Sequence, residues 1–157
     1  MRILGIDVGT QIAGYSVIEI AGGKLKPLTY GAIKATSRKL SFPERLKKIY
    51  DGLTIVIQEY KPTEAVVEEL FYGKNIKSAI KIGEGRGIAI LCAANANIPV
   101  TEYAATVVKK SVTGMGNATK MQVQEMVKNI LGLSEIPKPA DAADAIAIAI
   151  CHCHRIR

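Results

Sequence analysis

The sequence predicts an α/β fold, a mixed sheet of five short strands flanked by helices, and three observations carry that expectation. Short apolar runs bounded by turn residues alternate with longer stretches of 3.6-residue periodicity. A glycine pair, Gly22-Gly23, joins two partly alternating segments as a hairpin. A helical stretch then separates that hairpin from the next apolar run, which calls for a right-handed crossover into a parallel strand.

The first strand, Ile3-Leu4-Gly5-Ile6, carries Asp7 to its end before Gly9-Thr10 turn the chain. An unbroken apolar run of this length reads as a strand buried on both faces. Asp7 then sits at the carboxyl end of a strand, where open α/β sheets bind ligands. It could equally accept hydrogen bonds from the turn amides. Ala13 to Ile20 is the second strand, Ala21 to Lys24 the turn, and Leu25 to Ala35 the third strand of an antiparallel meander. Ser37 to Ser41 is a basic loop. Ser41, Pro43 and Glu44 form a helix start with a capping box. Leu46, Ile49, Tyr50, Leu53, Ile57 and Tyr60 give that helix its apolar stripe, with Arg45, Lys47 and Lys48 on a solvated side.

Lys61-Pro62 ends the helix, and Ala65 to Leu70 is a strand parallel to the first and beside it. Glu68 and Glu69 lie near its end, and because neighbours on a strand point to opposite faces only one can turn toward Asp7. Periodicity does not choose between them. A long helix runs over residues 75–95, with Ile76, Ile80, Gly83, Gly87, Ile90, Leu91 and Ala94 along one side and Lys74, Lys77 and Lys81 along another. Gly83, Gly85 and Gly87 imply either a close approach by another backbone, from the sheet or a second copy of the helix, or a break. Ile98 to Tyr103 is a fifth strand. A helix over 104–112 carries Lys109 and Lys110, and Thr119 opens another with Gln122 at the capping-box position. Pro139 to Asp144 begins a last helix that is almost wholly apolar through Ile150.

At 157 residues and 48% apolar composition the chain is most simply one domain over 1–157, large enough for a real core. It lacks an apolar run of bilayer length and a signal-peptide layout, and its odd set of thiols, Cys92, Cys151 and Cys153, suits a reducing compartment. The expectation is a cytoplasmic protein with no membrane partner. A net charge of +7 and a pI near 9.4 point toward a polyanion.

Asp141 and Asp144 share one helix face. Helix-dipole complementarity explains Asp141, but Asp144 sits deeper among alanines and isoleucines, where a carboxylate needs a partner or a metal. With Asp7 and Glu68 or Glu69 these acids would form a cluster lacking histidine and thiol, a site for Mg²⁺ or Mn²⁺. Carboxylate clusters of this kind can hold two ions for in-line phosphodiester chemistry. Lys109, Lys110 and Lys120 are candidate phosphate contacts, Lys120 beside a helix N-terminus. Cys151-His152-Cys153-His154 resembles a zinc cluster in composition, but neighbouring positions on a helix point apart and the usual spacing is missing.

Taken together, these segments resemble the RuvC-type Holliday junction resolvases, the crossover-junction endodeoxyribonucleases, essentially end to end. The resemblance is carried by Ile3 to Asp7, by Val67 to Phe71 with Lys74-Asn75, by Ala79 to Gly83, by Glu102-Tyr103-Ala104, and by Ala140 to Ala145. It implies a ribonuclease H-like fold and catalytic, metal-holding acids at Asp7, Glu68, Asp141 and Asp144, choosing Glu68 over Glu69. It implies a homodimer, joined through the long helix, with a metal site in each subunit. Such a dimer nicks opposed strands of four-way junction DNA in recombination and repair, leaving 5′-phosphate and 3′-hydroxyl ends. A branch-migration motor complex is the further partner the family implies. Phe71 matches an aromatic inserted against junction bases, and Lys109 and Lys120 match DNA-contacting lysines. Val8 departs from the family's common proline but supplies no ligand.

Gly5 to Thr10 also resembles the first phosphate loop of actin-like ATPases and sugar kinases. Those enzymes need a second such domain and a second glycine-rich loop, for which the chain has no room. A junction-binding module without chemistry, or a ribonuclease H-like nuclease acting on RNA or hybrid duplex, are the remaining rivals.

Overall fold

The computed structural model describes residues 1–9, 11–70 and 76–156. In chain order the elements are β1 (Arg2–Val8), β2 (Ile12–Ala21), β3 (Lys24–Lys34), α1 (Phe42–Tyr60), β4 (Glu64–Glu68), α2 (Ile76–Asn95), β5 (Val100–Tyr103), α3 (Ala105–Thr113), α4 (Lys120–Leu131) and α5 (Ala140–Arg155). The strands form one mixed sheet in the order β3-β2-β1-β4-β5. β1 pairs antiparallel with β2 and parallel with β4, and β4 is parallel to β5, so the expected meander and crossover are both present.

Local chemistry sets the element ends. Gly22 and Gly23 take positive φ values of 56° and 74° in the β2–β3 hairpin, as a tight turn with the sheet's twist requires. The Glu44 carboxylate accepts from the Ser41 amide at 2.7 Å and its hydroxyl at 2.6 Å, closing the start of α1. Thr119 and Gln122 exchange bonds of 3.2 and 2.8 Å to cap α4.

Both faces of the sheet are covered, and the alternation along β1 assigns each residue to a layer. Leu4 and Ile6 enter the core shared with α1 and α2, whereas Ile3 enters the core shared with α3, α4 and α5. One expectation needs correction. The fourth strand ends at Glu68, after which the Glu69 amide makes one more bond toward β5 and Leu70 lies beyond the strand. The long helix is unbroken over Ile76–Asn95, and the side it buries is that of Gly85, Ala89, Cys92 and Ala93, opposite the Ile80–Leu91 stripe. Of the three glycines, Gly85 meets the β1 turn, and Gly87 faces open space.

α5 lies directly on β1 and β2. A Cβ at Gly5 would overlap the Ala145 carbonyl, and one at Gly14 the Asp141 carbonyl. Between them the buried Ser16 hydroxyl donates to the Ala145 carbonyl at 3.0 Å. Alanines 142, 145 and 149 supply a thin, fully buried helix face that matches the glycine seat. Gly14→Ala is expected to cost roughly 1–3 kcal/mol by forcing the two backbones apart. The check is a lower denaturant midpoint at unchanged slope.

Candidate metal centre and nucleic-acid interface

Strand parity delivers the acids. Asp7 shares the face of Ile3 and Gly5, which is the α5 face. Glu68 shares the face of Val66, which packs in the α5 core. With β1 and β4 parallel and Ile6 opposite Val67, both carboxylates reach the same end of the sheet on the same side. Glu69 is exposed on the other parity, and its amide donates to the Tyr103 carbonyl at 2.8 Å. Asp141 and Asp144 come from the first turns of α5, and Asp141 rests against Gly14, the register partner of Asp7.

The Asp7 carboxyl feels the other three acids. Burial pushes the Asp7 carboxyl up to about 7, and Asp144, Glu68 and Asp141 add to the rise in that order, with Lys120 opposing. Glu68 is also raised, first by burial and then by Asp144, against Lys109 and Lys120. Lys120 Nζ lies 2.6 Å from Asp144 Oδ2, and this bond lifts the lysine's own affinity for its proton. Such an all-oxygen, over-negative donor set suits a hard divalent cation, whose charge would relieve the repulsion. Among the described residues, no three His, Cys, Asp or Glu side chains are already drawn together as a finished cage, and Lys120 holds Asp144.

Two clefts open at Glu68. One of about 290 Å³ is lined by Asp7, Glu68, Leu70, Ile82 and Arg86, with Glu69 lining it from the other parity. The other, about 250 Å³, is lined by Glu68, Asp144, Lys109, Lys120 and Val123. Lys109 and Lys120 therefore flank the acids, whereas Lys77 and Lys81 are exposed along α2. Phe71 and Lys74 lie outside the described residues. Sequence reasoning missed Arg86, one basic residue among many, and Gly14, whose place inside a strand does signal a close backbone approach.

The Cys151–His154 run turns inward. His152 Nε2 lies 2.6 Å from Glu64 Oε2, and Nδ1 lies 2.9 Å from the Tyr103 hydroxyl. His154 instead faces Ser111. No helix among the described residues is long and apolar enough to cross a membrane.

The raised Asp7 carboxyl links stability to pH. The unfolded chain releases this proton near 3.8 and the folded one near 7, so the folded state holds the extra proton between those values. Stability of the metal-free protein is therefore expected to fall as pH rises through that window and to level off above it. Asp7→Asn should flatten the fall and stabilise the metal-free protein by roughly 1–3 kcal/mol above the window, read from melting curves against pH.

The family model described as "Crossover junction endodeoxyribonuclease RuvC" matches residues 3–152. A protein of that name from Desulforamulus reducens is 53% identical over 152 residues, covering 97% of this chain and 93% of its own. Its namesake from Chloroflexus aggregans is 50% identical over 154 residues, covering 98% and 93%. Among solved structures, Thermus thermophilus RuvC superimposes with a TM-score of 0.91 at 34% identity, covering 100% of this chain and 96% of the other. The same protein in complex with Holliday junction substrate gives 0.93 at 35% identity, covering 100% and 95%. The mixed five-stranded sheet is accordingly ribonuclease H-like. The chain belongs to the RuvC family of crossover junction endodeoxyribonucleases.

Proposed function

We propose that Asp7, Glu68, Asp141 and Asp144 hold the divalent ions, two per site and Mg²⁺ or Mn²⁺ by donor type, with which this endonuclease nicks four-way junctions. The observation that carries the reading is the convergence of strand ends and helix start on an Asp7 carboxyl raised to about 7. Divalent cations bound there would supply activation of the attacking water and neutralisation of charge on the departing oxygen.

The chain's own residues do the rest. Asp7 and Glu68, fixed by two paired strands, hold one wall of the site, and Asp144 from α5 holds the other. Lys120 neutralises Asp144 in the free protein; on this reading it transfers its ammonium to a backbone phosphate as DNA enters. Lys109, on the second cleft, offers another phosphate contact. Lys77 and Lys81 extend a basic track along α2, and we assign Phe71 and Lys74, by family resemblance, to contacts with the junction. The net charge of +7 draws the polyanion to a pocket that is itself acidic. Three buried cysteines suit the reducing cytoplasm, where a branch-migration motor complex would present the junction.

The expected result with a synthetic four-way junction is paired nicking that requires added Mg²⁺ and is resisted by linear duplex and hybrid competitors. Asp7→Asn should abolish nicking and leave junction binding in EDTA largely intact. Parallel loss of binding would make Asp7 structural.

We further assign the dimer contact to the outer face of α2. Ile80 is 57% exposed and Leu91 48%, three helical turns apart on one stripe, with Gly87 open between them. Leu91→Glu is expected to weaken self-association by about tenfold or more, since burying one leucine contributes roughly 1.5–3 kcal/mol. Sedimentation would report it as dissociation to a folded monomer.

A further inference from the structure

We infer that Arg86 is a positioning residue for Glu68: it fixes the peptide from which that carboxylate projects, with Glu102 as its counter-ion. The inference rests on the assignment of Glu68 to the metal centre. α2 reaches the strand ends closely because of Gly85, whose Cβ would lie 3.1 Å from Val8 Cγ1 and 3.4 Å from the Gly9 carbonyl oxygen. The next residue, Arg86, donates from Nε to the Glu68 carbonyl at 3.3 Å and pairs through Nη2 with Glu102 on β5.

Glu102 is the register partner of Val67, so the guanidinium straddles two neighbouring strands where they end. Its side chain is 20% exposed, against 43% for Glu102. A partly buried cation needs both its charge and its donors satisfied, and the planar fork of arginine serves two acceptors in fixed directions. β4 ends at Glu68, where the Glu69 amide bonds the Tyr103 carbonyl on one side of the peptide and Arg86 bonds the Glu68 carbonyl on the other, so the arginine completes the hold on the plane that sets the Cα–Cβ direction. The charge environment of the Glu68 carboxyl is set by burial, Asp144, Lys109 and Lys120. Arg86 acts on its place.

The test is made on the full chain with a synthetic junction, comparing Arg86→Gln, Arg86→Lys and Glu102→Gln. Groups that orient metal ligands typically matter by about 10–100-fold. Arg86→Gln is therefore expected to lower kcat at saturating junction by at least about tenfold and to raise the Mg²⁺ concentration for half-maximal thermal stabilisation. Junction affinity in EDTA should stay within about twofold, and Arg86→Lys should recover part of kcat. Glu102→Gln should shift both readouts in the same direction by less, and it decides the matter if Arg86→Gln does not fold. Weaker junction binding with a shallower salt slope would make Arg86 a phosphate contact and overturn the inference. So would unchanged kcat and Mg²⁺ response while Glu68→Gln is inactive. If Glu68→Gln itself nicks normally, the metal-centre assignment fails instead.

Discussion

The closeness of α5 to the centre of the sheet is the constraint on which the site depends. A helix with ordinary side chains stands well off a sheet, and its first turns would carry Asp141 and Asp144 away from the strand ends. Here glycines 5 and 14 remove two Cβ atoms from the strands, and a run of alanines keeps the facing helix thin. The buried Ser16 hydroxyl then ties the sheet to the Ala145 carbonyl. Packing that looks merely economical is what brings acids distant in sequence into one electrostatic field.

That field has a cost in the free protein. Burial raises the Asp7 and Glu68 carboxyls, and nearby acids add to the penalty, Asp144, Glu68 and Asp141 on Asp7 and Asp144 on Glu68. The fold offsets it with Lys120 on Asp144 and with Lys109 near Glu68, both drawn from helices that cover the same face. Both lysines line the cleft they share with Glu68 and Asp144. Acids set within a basic surface have this electrostatic consequence: the carboxylates favour cations at short range, while the wider net positive charge favours polyanions at longer range.

Much of this was legible in the sequence. The β1–β3 meander, the crossover into β4 and the capped starts of α1 and α4 follow from turn glycines, capping boxes and 3.6-residue periodicity. The choice between Glu68 and Glu69 was not open to periodicity alone, because parity assigns a face only after the layer carrying α5 is known. Arg86 carried no signal of its own, and Gly14 signalled a close backbone approach without saying to what. Each acts through an element distant in sequence, Gly14 against α5 and Arg86 across the ends of β4 and β5. The apolar positions of α2 were equally ambiguous, since the helix has two apolar sides and pattern alone cannot say which one the sheet takes. Phe71 and Lys74 fall outside the described residues, and their place rests on resemblance.

The bond between His152 and Glu64 gives the site a mechanical property of its own. Glu64 and Glu68 bracket β4, about 13 Å apart along a strand, while Asp144 and His152 stand about 12 Å apart along α5. The two rods are nearly equal in length, bolted together at the far end and left facing each other, carboxylate to carboxylate, at the near one. Gly5, Gly14 and Ser16 seat the helix beside the carboxylate tips, so the gap between Glu68 and Asp144 is set by a rod held at both ends, pinned to the sheet near the carboxylates and locked by an imidazole at the other.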